Sequence, residues 1–282
     1  MEVEVTLVSK GLEEAFCSTC KDISGNGSNV MTRGSLCKEI IAKQVVISDP
    51  TDIHIVKKER RFNFVYAISE FMWYLSCSTD ACNIEKMAKI WSELKDADGK
   101  VVSNYGFQIR QQWDRAVNEL IKDNHSRRAV MVINTPLNNA SNALDCPCTM
   151  FVQFLIRDGQ LNLIVSMRSN DVVFGFCNDA FCWCLFQQMM LNELLFRGLT
   201  LRLGRYVHNA VSMHVYERHF GMLEACCNFK DEKRGRVKLK DHFTWKYAED
   251  VGACMAIENL SKEEIVVRAV SFFNREVELE HP

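Results

Sequence analysis

Asp145-Cys146-Pro147-Cys148-Thr149 opens the stretch whose reading decides the fold. An alternating apolar/polar run follows to Arg157, then Asp158-Gly159, then a second alternating run from Gln160 to Arg168. Beyond it stand Ser169-Asn170-Asp171-Val172-Val173-Phe174-Gly175-Phe176-Cys177-Asn178-Asp179. Alternation with a period of two marks half-buried strands, and Asp-Gly between two such runs marks a two-residue hairpin turn. Such a hairpin sets the start of one strand, near Cys148, beside the end of the other, near Arg168. A cation beside a thiol favours the thiolate, which makes Cys148 a candidate nucleophile. A phosphate on Arg168 would instead hold a nucleotide next to that thiol. Spacing alone does not decide between Cys148 and Cys146.

Outward from this stretch, the 282 residues are 48% apolar, enough for a substantial core, and are expected to form a single domain, 1–282. A net charge of -2 gives no global attraction for nucleic acid, so no direct DNA binding is expected and any anion site is local. No apolar run is long enough to span a membrane. The acidic start, Met1-Glu2-Val3-Glu4, lacks the basic region of a signal peptide. Thirteen cysteines, an odd number and many within apolar segments, read as free thiols in a reducing cytoplasm. Cys17-Ser18-Thr19-Cys20 has no second pair and no finger-spaced His, so no metal site is expected.

In chain order, a short strand (Val3 to Val8) precedes a helix, and Gly25 to Asn29 reads as a flexible loop. Arg33, beside Gly34, suits an anion that must be wrapped, or is a solvated loop charge. A mixed strand is expected over Glu39 to Ser48. Phe62 to Cys77 has apolar residues at helical spacing, with Glu70 among aromatics. A carboxylate there is either on the wet face or desolvated, with a raised pKa suited to moving protons. A helix holding Trp91 is expected over 83–95. Ser103-Asn104-Tyr105-Gly106 forms a turn before a helix from about Phe107 to Lys122. Arg127 and Arg128 precede a strand, Ala129 to Asn134, and offer two guanidinium forks to a phosphate, or form a surface basic pair. Asn178 to Phe196 is an apolar helix, with Asp179 where a cap would stand. Leu199 to Val215 reads as strands, with His214 and Tyr216 on one face. A helix follows near His219 to Cys227, then a charged loop, Lys230 to Lys240, and a tail without a readable motif.

Taken together, the set resembles the thymidylate synthase superfamily, and within it the deoxycytidylate hydroxymethylases of T-even bacteriophages. The resemblance spans most of residues 30–220. Its most specific part is Met167-Arg168-Ser169-Asn170-Asp171 through Gly175-Phe176, followed by Asn178-Asp179. Lys89-Ile90-Trp91, Ser103-Asn104-Tyr105-Gly106, Ser126-Arg127-Arg128, Pro147-Cys148-Thr149 and His214-Val215-Tyr216 support it in the same order. The resemblance implies an α/β (α+β) fold with a large mixed β-sheet flanked by helices, pairing through the sheet as a homodimer. It implies transfer of a one-carbon unit from 5,10-methylenetetrahydrofolate to C5 of a pyrimidine nucleotide, with Cys148 attacking C6. By position, Arg168 and Arg33 would hold the phosphate, with Arg127 and Arg128 donated across the dimer interface. His214 and Tyr216 would hold the sugar, Asp171 and Trp91 the folate. Glu70 would relay protons beside the active-site Tyr105.

Asp179 departs from the synthases, which carry Asn at this point. An amide pairs with both N3-H and O4 of uracil, whereas a carboxylate only accepts, and cytosine offers an amino donor where uracil has an acceptor. The expected substrate is therefore dCMP, held by Asp179. Thr149, in place of the synthases' His, and Ser169, which follows the deoxynucleotide pattern, agree with this. CMP remains an alternative substrate. The expected products are 5-hydroxymethyl-dCMP and tetrahydrofolate, made in the cytoplasm, which is the host's if the enzyme is phage-encoded. A 5-methyltransferase releasing dihydrofolate and a non-catalytic nucleotide- or RNA-binding relative are the alternatives.

Overall fold

The computed structural model describes residues 6–32, 34–139, 144–232, 234–257 and 259–280. In chain order the elements are β1 (Thr6–Ser9), α1 (Leu12–Asn26), β2 (Ser28–Thr32), β3 (Ser35–Ile47), α2 (Phe64–Leu75), α3 (Ile90–Leu94), α4 (Tyr105–Lys122) and β4 (Val130–Val132). Then come β5 (Thr149–Arg157), β6 (Gln160–Met167), β7 (Asn170–Asp171), α5 (Gly175–Phe196), β8 (Arg202–Tyr216) and α6 (Phe220–Cys226). The chain closes with β9 (Arg236–Leu239), α7 (Trp245–Met255), α8 (Lys262–Glu276) and β10 (Val277–Glu280).

The large mixed sheet has the order β1-β3-β8-β6-β5-β4, with β2 also on β3 and β7 also on β8. Its spine is the antiparallel pair of long strands β3 and β8. Each carries two short partners end to end: β2 and β1 along β3, β6 and β7 along β8. The β5–β6 hairpin forms as its sequence requires. Asp158 and Gly159 have φ of 52° and 69°, the left-handed pair that a two-residue turn needs.

One face of the sheet is fully buried, with Phe154, Leu163, Val165 and Tyr206 under the helices. The other, with Phe151, Gln153, Leu155, Ile164 and Val207, is only partly covered. Helix α5 packs on β6 and β8 and is buried almost all round, which is why its sequence is apolar on every side. Each large side chain fully buried there contributes about 1.5–3 kcal/mol. No helix among the described residues is long and apolar enough to cross a membrane.

Several expectations are corrected. Gly25–Asn29 is not a loop: α1 runs to Asn26, and β2 starts at Ser28 because it pairs with β3. The helix expected over 83–95 is broken into a short 3-10 turn, Ile84–Lys86, and α3. Residues 202–216 form one strand, not several. The charged loop contains β9, paired with β10. Helix α4 begins at Tyr105, two residues early, because Asn104 caps it by accepting from the Phe107 N–H (3.2 Å). Cys17 and Cys20 lie buried on α1 and serve the core.

The C-terminal region braces α2 and α5 from behind. Gln188 Nε2 on α5 donates to the carbonyls of Pro50 and Val237, and Asn192 Nδ2 to those of Lys240 and Phe243. Helices α7 and α8 pack on α2. A Cβ at Gly252 would lie 2.2 Å from the Leu75 carbonyl oxygen, so only glycine permits that approach.

Candidate active site

The hairpin's pairing brings Cys148 and Arg168 together. The Arg168 N–H donates to the Cys148 carbonyl (2.9 Å). Its guanidinium donates to the carbonyls of Pro147 (3.2 Å) and Cys146 (2.8 Å) and reaches the Cys148 sulfur at 3.6 Å. The Asp145 carboxylate anchors the same segment by accepting from the backbone N–H groups of Val102 and Ser103, each at 2.7 Å. Burial pushes the Cys148 thiol up to about 11, and the Arg168 charge opposes this without overcoming it. The expected thiolate is therefore a neutral thiol at rest, because desolvation outweighs the cation.

After Arg168 the chain re-enters the sheet as β7, beside the end of β8, which sets Asp171 opposite His214. Asp171 Oδ1 accepts from the N–H groups of Val173 (2.8 Å) and Phe174 (3.0 Å) and so turns the chain into α5. Asp171 thus shapes the turn before the helix, whose N-cap, Phe174, has no side-chain cap. Asp179 lies inside α5 and caps nothing: its Oδ2 accepts from Asn170 Nδ2 (2.7 Å). Burial pushes Asp179 up to about 7, with the Asn170 bond opposing. Asn170 is itself buried, and its Oδ1 has no partner among the described residues.

Helix α2 supplies the opposite wall. Glu70 is only 5% exposed, so it belongs to the desolvated alternative. The Tyr66 hydroxyl donates to Glu70 Oε1 (2.7 Å), and Trp91 Nε1 donates to the Tyr66 oxygen (3.1 Å). Burial pushes Glu70 up to about 8; the Tyr66 bond lowers it and the Asp179 charge raises it. Tyr105 is sandwiched between Tyr74 (5.2 Å between ring centroids) and Trp183 (5.8 Å). Gly106 makes this possible, since a Cβ there would lie 1.6 Å from the Tyr74 carbonyl oxygen.

A cavity of about 930 Å³ joins these groups. Cys148, Glu70, Tyr105, Asp179, Arg168 and Ser169 line it, and so do His214, Tyr216, Asp171 and Trp91. The rings of His214 and Tyr216 share one face, as their spacing predicts, 5.1 Å apart. Arg127 and Arg128 are exposed and are not among the cavity's lining residues. Arg33 lies outside the described residues. Among the described residues no group of three or more His, Cys, Asp or Glu is arranged to hold a metal ion.

Sequence reading missed Tyr66 and left Asn170 without a role. For Tyr66 a signal existed: it stands four residues before Glu70, the spacing that stacks two side chains on one helix face. For Asn170 none existed, because its contact with Asp179 depends on how β7 meets α5.

The cavity's size suits two ligands side by side. Its wall of Trp91, Ile90, Leu94 and Phe174 suits a flat ring system, and Asp171 lines the same cavity. The Thymidylate synthase family model matches residues 14–263. The chain is 35% identical over 202 residues to the deoxycytidylate 5-hydroxymethyltransferase of Enterobacteria phage T4, covering 66% of this chain and 78% of that protein. It is 28% identical over 241 residues to thymidylate synthase 1 of Bacillus spizizenii, covering 75% and 82%. The solved structure of thermostable thymidylate synthase A from Bacillus subtilis shares the fold, with a TM-score of 0.68 at 23% identity, over 84% of this chain and 93% of that one. A chain matched along most of its length by this family model, folded around the same mixed sheet, belongs to the thymidylate synthase family of one-carbon transferases.

Proposed function

We propose that the chain, working as a single domain, transfers a one-carbon unit from 5,10-methylenetetrahydrofolate to C5 of dCMP, giving 5-hydroxymethyl-dCMP and tetrahydrofolate. The observation that carries this reading is Asp179, a carboxylate lining the cavity, with Oδ2 held by Asn170. That bond leaves Oδ1 for the amino group of cytosine. With its pKa pushed up to about 7, the Asp179 carboxyl can hold a proton and pass it to N3 as charge builds there. In its ionised form the carboxylate would meet uracil's O4 acceptor with a second acceptor, and an unpaired buried acceptor discriminates strongly.

The remaining roles follow from chemistry and position. Cys148 gives its proton to solvent and adds through sulfur to C6 as N3 takes the proton from Asp179, which turns C5 into an enamine-like carbon. Arg168 and Ser169 hold the phosphate, with Arg33, while His214 and Tyr216 hold the sugar. Asp171 and Trp91 hold the folate, which supplies carbon at the oxidation level of formaldehyde. Tyr105 borders the reacting ring. Loss of the C5 proton to solvent then frees tetrahydrofolate, to which Glu70 gives the proton it holds with a pKa of about 8, and leaves an exocyclic methylene; water adds to that carbon, its proton returns to Glu70, and loss of Cys148 from C6 restores the ring. The 35% identity to a deoxycytidylate 5-hydroxymethyltransferase supports hydration over hydride transfer. The partly covered sheet face supports a homodimer, in which Arg127 and Arg128 of each subunit complete the phosphate site of the other. Verified heterodimers of Arg127→Ala and Cys148→Ala subunits then regain activity; inactive ones argue against shared sites.

The test is a product assay with methylenetetrahydrofolate and, separately, dCMP, dUMP and CMP. The expected result is hydroxymethyl-dCMP by mass spectrometry with no rise in dihydrofolate absorbance. Methyl-dCMP with dihydrofolate would replace hydration by reduction, and turnover of dUMP alone would overturn the reading of Asp179.

A further inference from the structure

We propose that Tyr66 is a positioning residue: clamped by Trp91, it fixes which oxygen of Glu70 carries the exchangeable proton and turns that proton towards the cavity. The inference rests on the reading of Glu70 as a proton-transfer group and adds the device that orients it. Tyr66 and Glu70 stand one turn apart on α2, and the Tyr66 hydroxyl donates to Glu70 Oε1 at 2.7 Å. The direction of that bond is fixed from outside the helix. An indole N–H can only donate, so the 3.1 Å contact from Trp91 Nε1 occupies the Tyr66 oxygen as acceptor. The hydroxyl hydrogen then points at Glu70 alone. An Oε1 that already accepts this hydrogen is the carbonyl-like oxygen of the acid, so the proton resides on Oε2.

All three side chains line the same cavity, so the clamp sits where substrate and water would meet Glu70. The other titratable groups acting with Glu70 are Asp179 and Cys182 on α5 and Tyr74 on α2. Among the described residues only Tyr66 is hydrogen-bonded to Glu70. Asp179 raises the Glu70 pKa and Tyr66 lowers it, so removing the Tyr66 hydroxyl moves Glu70 further towards the neutral acid.

The experiment is an infrared titration of the Glu70 carboxylic acid stretch in the full chain without substrate, assigned by its loss in Glu70→Gln. In Tyr66→Phe, which keeps the ring, the midpoint should move up by about one to two pH units, since a hydrogen bond to a charged group is lost. Trp91→Phe should shift it less, in the same direction, because the hydroxyl becomes a weaker and freely turning donor. In turnover, the limb of the kcat–pH profile that belongs to Glu70 should move with the midpoint, while the KM for nucleotide stays within about twofold. An unmoved midpoint in Tyr66→Phe, or a uniform loss of rate at every pH, would overturn the proposal. The infrared shift decides the clamp whatever the substrate. Full activity of Glu70→Gln would overturn the catalytic reading of Glu70 separately.

Discussion

The cavity end of the molecule and its C-terminal brace both bury charge, and they treat it in opposite ways. In the brace, Glu276 is 0% exposed and accepts from His242 (3.0 Å), Tyr247 (3.0 Å) and Arg275. Burial works to raise its pKa, yet these bonds win and hold it below the usual carboxylate range. Asn83 is likewise fully engaged, donating to the carbonyls of Met255 and Ile257 and accepting from the Leu260 N–H. At the cavity, Glu70 and Asp179 each have one hydrogen bond among the described residues to set against burial, and both pKa values are raised. Asn170 Oδ1 is left without a partner among the described residues. Polar groups that are fully paired fix shape. Groups left under-paired in a cleft are poised for a ligand, and their location reports function.

The sharpest way to break this contrast is at the thiol. Cys148→Ala should cost about 10⁴-fold or more in turnover, with the Kd for dCMP within about tenfold, because only the covalent step is lost. Loss of nucleotide binding as well, measured by calorimetry, would make Cys148 a structural residue. Asp179→Asn should change the kcat/KM ratio of dCMP to dUMP by about 10²- to 10⁴-fold in favour of dUMP; unchanged competition between the two nucleotides would remove the base-recognition argument. Glu276→Ala should do the reverse of both. It should lower unfolding stability by about 2–4 kcal/mol in denaturant, by stranding the donors around it, and leave the KM for nucleotide unchanged.

The smallest effect tests the pH sense of the two regions. Glu70 has a folded pKa raised above its unfolded value, so the stability tied to its neutral form is complete below about pH 4.5 and is lost as pH rises through about 8. Glu276 has a depressed folded pKa, so its contribution is present at neutral pH and is lost as pH falls. Glu70→Gln, which keeps the acceptor for Tyr66, should therefore be more stable than the parent by about 1–2 kcal/mol at about pH 8, with little difference at about pH 5. Melting curves at the two pH values check this; an equal difference at both would mean that Glu70 is not held neutral.

How much of this was legible in the sequence followed the same divide. The β5–β6 hairpin could be read because its alternation and its Asp-Gly turn are local signals, and with it came the adjacency of Cys148 and Arg168. Helix α2 followed from periodicity, which left Glu70 open between the wet face and a desolvated position. β2 was hidden because Gly25-Asn26-Gly27-Ser28-Asn29 has the composition of a loop, and only β3 makes a strand of its end. The brace was hidden because β9 is four residues long and draws its order from the Gln188 amide and from β10. The neutral Cys148 was hidden because a nearby arginine shows in sequence and a desolvating wall does not.

That neutral sulfur has a consequence for handling the protein. A thiol with a pKa of about 11 is ionised in roughly one molecule in ten thousand at neutral pH, and only the ionised form reacts quickly with alkylating agents or peroxide. Of the thirteen cysteines, only Cys254 is exposed. A mild electrophile should therefore label Cys254 first and spare Cys148, so a fluorescent tag can be attached at Cys254 for binding studies before the reactive sulfur is touched.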